Sequence, residues 1–348
     1  MISINFVGDI ALFREFEDRG IDPFKEIKLP ESNYNIGNFE FIIPNKRKKR
    51  FFDVSDNYKV SYNYLNTLSL EKFDAYSFAN NHCMDYGLEG VEDVDATLNQ
   101  KSIKSFGFGK KGYNSLTFKI KDVSFVALAF VKQGRWSKDS ENPIGPDTYN
   151  VDEILEEIKR LKHTHHHVLV YPHWGTELVD VPDPKDIINA RAFIDSGASA
   201  VIGHHPHIIQ GIEHYKNGVI AYSLGSFIYI PNMEYGYKSN QSANRNYSIC
   251  LNISFNADSL LSANENYYRY DSKTLIPKPI ERKTIEGYLD LINDKIDDSN
   301  FYKKRIREVL LKREMVAFFQ RLKSSPKQTL VHYFKYIKIE HFKKIIKR

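Results

Sequence analysis

The sequence predicts an α/β fold with one composite site at the ends of its strands. Through the first two-thirds of the 348 residues, strand-like apolar runs alternate with helical patterns, which is typical of β-α units. In open α/β sheets, ligands bind outside the carboxyl ends of the strands, so residues far apart in sequence meet there. Six of the apolar runs end in polar clusters able to bind metal ions: Val7-Gly8-Asp9, Gly37-Asn38-Phe39-Glu40, Ala79-Asn80-Asn81-His82, Pro172-His173-Trp174-Gly175-Thr176-Glu177, Gly203-His204-His205-Pro206-His207 and Ser223-Leu224-Gly225-Ser226-Phe227.

The elements of this region are predicted in chain order from hydrophobic periodicity and from the residues at their boundaries. An apolar strand begins the chain and ends at Gly8-Asp9, and the last helix of the region opens at Pro184 and ends before Gly197. The predicted helices are residues 60–71, 86–101, 151–162 and 184–196, and the predicted strands are residues 2–7, 74–79, 167–171, 198–202 and 219–224.

The last third of the chain changes character along its length. Residues 246–256 and 264–271 alternate between apolar and polar side chains, which predicts two antiparallel strands near the sheet edge. From about Arg282 the sequence is helical and charged. The helices predicted there are residues 300–323 and 328–347, on either side of Pro326.

The composition is that of a folded protein with a large core. Hydrophobic residues make up 42%, aromatic residues 14% and charged residues 27%. We expect one domain at residues 1–280 and a basic helical extension at residues 281–348. Cys83 and Cys250 are too few for a disulfide framework, so a reducing compartment is compatible. Because no signal sequence opens the chain and no uncharged run reaches roughly 18 residues, we expect a cytoplasmic protein.

The net charge of +5 is distributed unevenly along the chain. Residues 303–348 contain 15 Lys and Arg against 3 Glu, while residues 1–302 contain 34 against 41 Asp and Glu. The basic character therefore belongs to the extension.

Two carboxylates and an amide follow predicted strands of the first half. Asp9 and Glu40 each stand where a carboxylate can bind a hard or borderline divalent cation, although Gly-Asp is also a common turn. Asn81 offers a neutral oxygen ligand, and His82 beside it offers a titratable proton. The alternative for this segment is a capped loop, with Asn81 in a turn and Asp85 capping the following helix.

Three histidines follow strands of the second half. His173 comes directly after a strand, and Gly175 lets the backbone approach a ligand, although a His-Trp pair is as often a packed core corner. His205 and His207 alternate along one short loop, so an extended backbone would give them a shared face, and Pro206 favours that conformation for His205.

A separate cluster comprises His163, His165, His166 and His167. It precedes a predicted strand and so lies at the opposite end of the sheet from the other clusters. We expect these histidines to be loop residues, with adventitious metal binding as the alternative.

The strings GDI, NFE, ANNHCMDYGLEG, HWGTE, GHHPHIIQGIE and YSLGSF, in this order and spacing, resemble the CapA family of capsule and poly-γ-glutamate biosynthesis proteins. That family is similar to the calcineurin-like metallophosphoesterases. The resemblance covers residues 2–230. It implies a four-layer α/β/β/α sandwich with a dinuclear metal centre at the strand ends. The membrane anchor common in capsule members is not seen before the first strand, so we do not expect an extracellular role.

The resemblance also implies roles for single residues. His82 matches the position that would protonate a leaving group, and Asp85 and Glu177 match partners that orient imidazoles. Ser226 stands where the family usually has Asn. The implied metal ligands are Asp9, Glu40, Asn81, His173, His205 and His207, and the implied substrate contacts are Asn38, Asn80, His204 and Ser226.

The function implied is that of a phosphoester hydrolase in the biosynthesis of a capsule or another polyanionic polymer. Two divalent ions about 3.5–4 Å apart would activate a water and neutralise phosphoryl oxygens. His82 would act as general acid. With nitrogen and oxygen ligands and no thiolate, we expect Mn, Zn or Fe rather than Ca. The alternative is a non-catalytic accessory subunit that binds an anionic polymer or a lipid-linked intermediate.

Two basic segments suggest further partners. Lys46-Arg47-Lys48-Lys49-Arg50 would suit contact with a polyanion, although a solvated loop is as good an interpretation. In the extension, apolar residues interleave with Lys and Arg, so its helices would either bind an anionic membrane surface at the inner face or pack on the core. No nucleic-acid motif accompanies the charge. The apolar positions are Phe318, Phe319, Leu322, Leu330, Tyr333, Phe334, Ile337, Ile339, Phe342, Ile345 and Ile346.

Overall fold

The computed structural model describes residues 1–40, 60–110, 112–132, 143–230 and 243–324. The chain divides into two compact units, Met1–Ser299 and Asn300–Arg348. The predicted boundary after residue 280 stays a prediction. The predicted basic run at residues 46–50 and the predicted helix at residues 328–347 lie outside the described residues.

Strands and helices alternate through most of the first unit. In chain order the strands are β1 (Ile2–Ile10), β2 (Tyr34–Phe39), β3 (Ala75–Ser77), β4 (Lys104–Phe106), β5 (Phe108–Gly109), β6 (Leu116–Ile120), β7 (Val123–Val131), β8 (Gly145–Pro146), β9 (His167–His173), β10 (Ala198–Ile202), β11 (Ile212–Tyr215), β12 (Gly218–Ala221), β13 (Ser226–Ile228), β14 (Tyr247–Phe255), β15 (Leu260–Asp271) and β16 (Ile276–Ile280). The α-helices are α1 (Arg14–Asp18), α2 (Tyr62–Thr67), α3 (Gly87–Gln100), α4 (Val151–Lys162), α5 (Pro184–Asp195), α6 (Glu286–Asp294) and α7 (Ser299–Ser324), and short 3-10 helices span Leu70–Lys72, Ala243–Asn246 and Arg282–Thr284.

The strands form two main sheets. The larger sheet has the order β16-β15-β14-β1-β2-β3-β4, and β13 also pairs with β1. Its strands β1 to β4 are parallel, whereas β14, β15 and β16 are added antiparallel. The smaller sheet has the order β11-β12-β10-β9-β7-β6, with β7, β9, β10 and β12 parallel. Strands β5 and β8 form a separate ribbon.

Three buried apolar clusters separate four layers. Between the sheets, side chains such as Phe6 and Tyr171 form the central core. On the outer face of the larger sheet, Val94 of α3 belongs to the same cluster as Tyr76 of β3. On the outer face of the smaller sheet, Ile158 of α4 joins the cluster of β7 and α5. The fold is therefore the α/β/β/α sandwich that the sequence analysis predicts.

Several predicted boundaries agree with the structure, and others differ for identifiable reasons. Helix α4 has the predicted bounds, and α3 and α5 are within a residue of them. The helix predicted at residues 60–71 is broken, because Leu68 has an extended backbone between α2 and a 3-10 turn. The antiparallel pair β14 and β15 is present, but β14 lies inside the sheet next to β1, and β16 forms the edge.

The sequence pattern does not predict strand β7. Its sequence, Val123-Ser124-Phe125-Val126-Ala127-Leu128-Ala129-Phe130-Val131, is apolar on both faces and lacks the alternation that marks a half-buried strand. Burial on both sides follows from its place next to β9, with the central core on one face and the core of α4 and α5 on the other.

The second unit contains α7, which agrees with the helix predicted at residues 300–323. Its exposed apolar residues include Leu310, Leu311 and Met315. The apolar positions of the extension from Phe318 onward lie outside the residues whose side chains are described. Within the described ranges, no helix is both long enough and apolar enough to cross a membrane.

Candidate metal centre

The predicted ligands lie where the carboxyl ends of parallel strands from both sheets meet. From the larger sheet, Asp9 is near the end of β1 and Glu40 directly follows β2. From the smaller sheet, His173 is the last residue of β9, and His205 and His207 follow β10. These five side chains are buried, with exposures of 4% or less.

Glu40, His173 and His205 form the first ligand group. Their ligand atoms all lie within 4.8 Å of one another. Nε2 of His173 is 3.4 Å from Oε1 of Glu40, and the rings of His173 and His205 are 4.8 Å apart between centroids. This spacing allows one cation to contact a carboxylate and two imidazoles.

Asp9, Glu40 and His207 form the second ligand group, again with ligand atoms within 4.8 Å of one another. Nδ1 of His207 is 3.1 Å from Oδ2 of Asp9, and Nε2 is 3.6 Å from Oε1 of Glu40. Glu40 belongs to both groups. Its carboxylate therefore stands between two potential cation positions.

Three amides surround the first group. Oδ1 of Asn81 lies 2.8 Å from Nε2 of His173, which brings the predicted amide ligand to the centre. Asn38 donates from Nδ2 to Oδ1 of Asp9 at 2.8 Å and lies 3.3 Å from Nδ1 of His173. Asn80 donates to the carbonyl of Phe39 at 2.9 Å. The amides of Asn38 and Asn80 therefore support the ligands, and their predicted contact with substrate stays a prediction.

The loop of His205 and His207 has an unusual backbone. The φ angles are 98° at His205 and 56° at His207, in the left-handed region that side chains other than Gly seldom adopt. The extended conformation predicted for His205 from the following Pro206 is therefore wrong. Such backbone strain costs about 1–3 kcal/mol per residue and is concentrated at functional sites, where surrounding structure holds it.

His82 and Asp85 form a pair at the rim of the centre. Nδ1 of His82 is 2.7 Å from Oδ2 of Asp85, and the His82 side chain keeps 13% of its surface exposed. Asp85 does not cap the following helix, because the cap of α3 is Tyr86 and no side chain bonds there. The capping alternative is therefore wrong. Glu177 is half-buried, and its charge acts on His205.

Ser226 and His204 have different neighbours around the loop of His205 and His207. Oγ of Ser226 is 3.2 Å from Nδ1 of His207. His204 points to the β1 backbone, with Nε2 3.2 Å from the Val7 carbonyl, and its ring packs on Tyr171 at 4.3 Å. Their predicted contact with substrate stays a prediction.

Tyr229 is a further neighbour of the centre that the sequence analysis did not identify. Its buried ring lies 4.8 Å from the His207 ring, where it limits the orientations of that imidazole. In the sequence, the one feature that could have indicated Tyr229 is its position two residues after the Ser226-Phe227 string.

Burial sets the protonation of the ligands. It lowers the pKa of His173 and His204, and it lowers the pKa of His205 from 6.5 to about 4. Burial also acts to raise the pKa of Asp9, but the hydrogen bond and charge of His207 outweigh it and hold that pKa well below its ordinary value. Near neutral pH, the site therefore offers the carboxylate of Asp9 and the neutral imidazoles of His173 and His205, which are the forms that bind metals.

The donor set fits divalent metal ions. Among residues of the described ranges, none forms a hydrogen bond with the buried Nδ1 of His205. An imidazole nitrogen buried in this way lacks compensation for lost water, and a cation would supply it. Nitrogen and oxygen donors without thiolate suit Mn, Zn or Fe.

The separate histidine cluster lies at the other end of the smaller sheet. His167 is the first residue of β9, which agrees with the strand predicted from residue 167, and it is buried in the core, so the expectation of a loop residue is wrong for His167. Its ring nitrogens lie 2.9 Å from Oγ of Ser199 and 2.6 Å from the Asn256 carbonyl. His166 accepts a hydrogen bond from the Ser124 backbone N–H at 3.1 Å.

Comparisons with known proteins agree with the motifs. Residues 3–230 match the family described as bacterial capsule synthesis protein PGA_cap. The capsule biosynthesis protein CapA of Bacillus anthracis is 27% identical over 252 residues, covering 66% of this chain and 60% of that protein. The PGA biosynthesis protein CapA of Bacillus subtilis is 29% identical over 241 residues, covering 66% of this chain and 63% of that protein.

The chain thus spans 60% and 63% of the lengths of these two curated relatives. Among solved structures, a novel phosphatase from Mycoplasma pneumoniae aligns with a TM-score of 0.47 at 11% identity. That alignment covers 79% of this chain and 96% of the phosphatase chain.

Proposed function

The chain belongs to the bacterial capsule synthesis protein family PGA_cap, and from this premise we propose that it is a metal-dependent phosphoester hydrolase in the production of a capsule or another anionic polymer. The observation that carries the proposal is the position of Glu40 in both ligand groups. A carboxylate shared between two sets of imidazole and carboxylate donors allows two cations to bind at neighbouring positions.

The residues divide between two cation positions. His173, His205 and the oxygen of Asn81 would hold one ion, Asp9 and His207 would hold the other, and Glu40 would contact both. Bound there, two divalent ions would lower the pKa of a water and neutralise the charge on phosphoryl oxygens. Asn38 fixes the carboxylate of Asp9 through its hydrogen bond, and Ser226 and Tyr229 limit the movement of His207.

His82 is suited to deliver a proton to the leaving group. Its Nδ1 lies 2.7 Å from Oδ2 of Asp85, so Nε2 is the ring nitrogen that faces away from this carboxylate. The contact with Asp85 fixes the orientation of the ring. Because His82 is at the rim and partly exposed, it is able to exchange protons with solvent between turnovers.

The alternative is a non-catalytic accessory role. The Bacillus relatives are named for biosynthesis of a capsule and of PGA, and neither name states a hydrolytic reaction. In that case the centre would bind an anionic polymer or a lipid-linked intermediate without turnover. Both functions need the metals, so metal content is the first experiment and turnover the second.

The first experiment measures metal by plasma mass spectrometry in untagged protein. We expect close to two transition-metal equivalents in the wild type and a loss of both in His205→Ala/His207→Ala. The matched control is His163→Ala/His214→Ala, which removes two exposed imidazoles outside the centre and should keep the metals. A wild type that stays empty after reconstitution with Mn, Zn and Fe would overturn the proposal.

The second experiment separates hydrolase from accessory subunit. The loaded wild type is incubated with phosphomonoesters and phosphodiesters, and released phosphate or alcohol is measured. Turnover that is lost with the metals supports the hydrolase. Metal-dependent retention of an anionic polymer without turnover supports the accessory role.

The expected location is also part of the proposal. We place the protein in the cytoplasm, with the basic extension at the inner face of the membrane and with no nucleic-acid partner. Fractionation of cells into cytosol, membrane and medium tests this directly, and recovery of the protein from the medium would contradict it.

A further inference from the structure

A buried ion pair lies beside the ligand His173 and has no role in the centre as described above. Lys132 directly follows β7, and Asp186 lies in the first turn of α5. Nζ of Lys132 donates a hydrogen bond to Oδ1 of Asp186. The Asp186 side chain is 1% exposed and the Lys132 side chain is 23% exposed, so the pair is largely out of water.

The same lysine is joined to the ligand strand through its backbone. Val131 pairs with His173 in the parallel register of β7 and β9, and the N–H of Lys132 donates to the His173 carbonyl at 2.9 Å. The N–H of Gly175, two residues after His173, favours the ionised form of Asp186. Asp186 and Lys132 therefore connect α5, the end of β7 and the turn that follows the ligand.

The surroundings hold the lysine in place. Its Nζ lies 5.6 Å from the ring centre of Tyr149, whose hydroxyl accepts a hydrogen bond from Asn189 of α5 at 2.6 Å. Burial raises the pKa of Asp186 to about 6 even though the charge of Lys132 lowers it. In the described part of the chain, Oδ2 of Asp186 makes no hydrogen bond.

Burial removes water from the charges of Lys132 and Asp186, and this loss of hydration offsets the attraction between them. The ion pair is therefore a poor source of stability. Its geometry is better explained by what it orients. Gly175 has a φ of +81°, and a Cβ there would lie 3.2 Å from Pro206 of the neighbouring ligand loop. The turn after His173 is therefore confined between Pro206 on one side and the contacts to α5 on the other.

We propose that the Lys132–Asp186 pair is a positioning device for His173, which keeps the first ligand group, Glu40, His173 and His205, in the geometry for a cation. The proposal rests on the metal centre proposed above. The second ligand group does not contain His173, and its imidazole, His207, is oriented by Asp9, Ser226 and Tyr229. Loss of the pair therefore affects the two cation positions unequally.

The test is a titration of the metal-free full chain with Zn²⁺ in competition with a chromophoric chelator. The variants are Asp186→Asn and Lys132→Met, which keep the side-chain shapes close to those of the wild type. We expect one of the two zinc equivalents to bind about 10–100-fold more weakly and the other to be unchanged, since residues that orient ligands act on this scale. Lys132→Arg should restore part of the affinity.

The control is Asp195→Asn, which removes the exposed Lys216–Asp195 pair at the other end of α5. It should leave both zinc affinities unchanged. The positioning proposal is overturned if Asp186→Asn and Lys132→Met bind both equivalents like the wild type, or if both affinities fall together. If Asp186→Asn does not fold, the zinc titration of Lys132→Met alone tests the proposal. A wild type that binds no zinc overturns the metal centre itself, and the positioning proposal with it.

Discussion

Glu40 is the residue that both ligand groups of the centre have in common. It is fully buried at the end of β2, with an imidazole of each ligand group 3.4–3.6 Å from the same oxygen, Oε1. A carboxylate has lone pairs on both oxygens and is therefore able to contact two cations at once. The other ligands each belong to one position, so substitutions at the centre should differ in how many ions they remove.

For this reason Glu40→Gln should lose both metal equivalents, whereas Asp9→Asn should lose one. The amide keeps the shape of the side chain but removes the negative charge that a pair of cations needs. Metal content after dialysis, measured by plasma mass spectrometry, gives the result. Glu156→Gln on the exposed face of α4 is the control, and equal losses in Glu40→Gln and Asp9→Asn would contradict the sharing of Glu40.

The proposed role of His82 as proton donor leads to a different prediction. His82→Ala should lower kcat for phosphoester hydrolysis by about 10²–10⁴-fold, the usual contribution of a general acid, with metal content unchanged. Asp85→Asn should cause a smaller loss, because the imidazole remains but its orientation is less well fixed. Activity loss accompanied by metal loss would instead make His82 a ligand.

At the scale of elements, helix α5 both packs into the core and carries Asp186, the residue proposed to position the ligand His173. Its amino-terminal cap is Asp183, whose Oδ1 accepts a hydrogen bond from the Lys185 N–H at 2.8 Å. The first turn of the helix carries Asp186, and the helix packs through Phe193 into the outer core. The cap therefore fixes the start of the helix that carries the proposed positioning residue.

Asp183→Ala should lower the free energy of unfolding by about 1 kcal/mol, the usual value of such a cap. Asp183→Ser, which keeps an accepting oxygen, should retain most of that stability. Urea unfolding of the metal-free protein measures both. If alanine and serine are equally destabilising, the cap is not the reason for the loss.

Helix α7 is the described part of the basic extension, and its exposed charges test the membrane proposal. Replacing Lys303, Lys304, Arg307 and Lys312 by Gln should reduce flotation with anionic vesicles, since each basic residue near such a surface contributes about 1 kcal/mol before salt screening. Neutral vesicles are the control. Equal flotation of variant and wild type, or binding to neutral vesicles, would contradict an electrostatic membrane contact.

The elements also show what the sequence does and does not encode locally. Helices α4 and α5 were predicted closely because their caps and periodicity are local signals. Strand β7 has no alternation to detect, since it is buried on both faces. The position of β14 beside β1 depends on pairing across more than two hundred residues, for which the strand's own sequence carries no signal.

At the scale of the whole molecule, stability should depend on pH through the buried imidazoles of His167, His173, His204 and His205. Their pKa values are lowered by burial, so the unfolded chain binds more protons than the folded one below about pH 6.5. Stability therefore falls as the pH falls through this window. For His205, with a pKa of about 4, the loss at pH 5 is about 2 kcal/mol.

Urea unfolding in the presence of a chelator, at about pH 7 and about pH 5, measures this effect. His205→Asn should show a smaller difference in the free energy of unfolding between the two pH values than the wild type.

Asp186 acts in the opposite direction. Its pKa is raised to about 6, so on acidification the folded state binds a proton at this carboxylate before the unfolded state does. Asp186→Asn should therefore show a larger loss at low pH, and a smaller one would contradict the assignment.

The candidate centre was largely predictable because its ligands occur in short strings that follow strands. Asp9, Glu40, Asn81, His173, His205 and His207 were identified in this way, and the structure brings all of them together. The sharing of Glu40, the left-handed backbone of His205 and the contact of Lys132 with Asp186 were not predictable. Each depends on the distance between the two sheets or on packing of a helix against a strand end.

The pairing of β1 with both β2 and β14 has a consequence for synthesis of the chain on the ribosome. At about 5–20 residues per second, β14 is completed roughly 10–50 s after β1. During that interval the edge of β1 that will pair with β14 has no partner, and an unpaired edge invites association with other chains. The central strand of the larger sheet is thus open to association with other chains on one edge until β14 has been made.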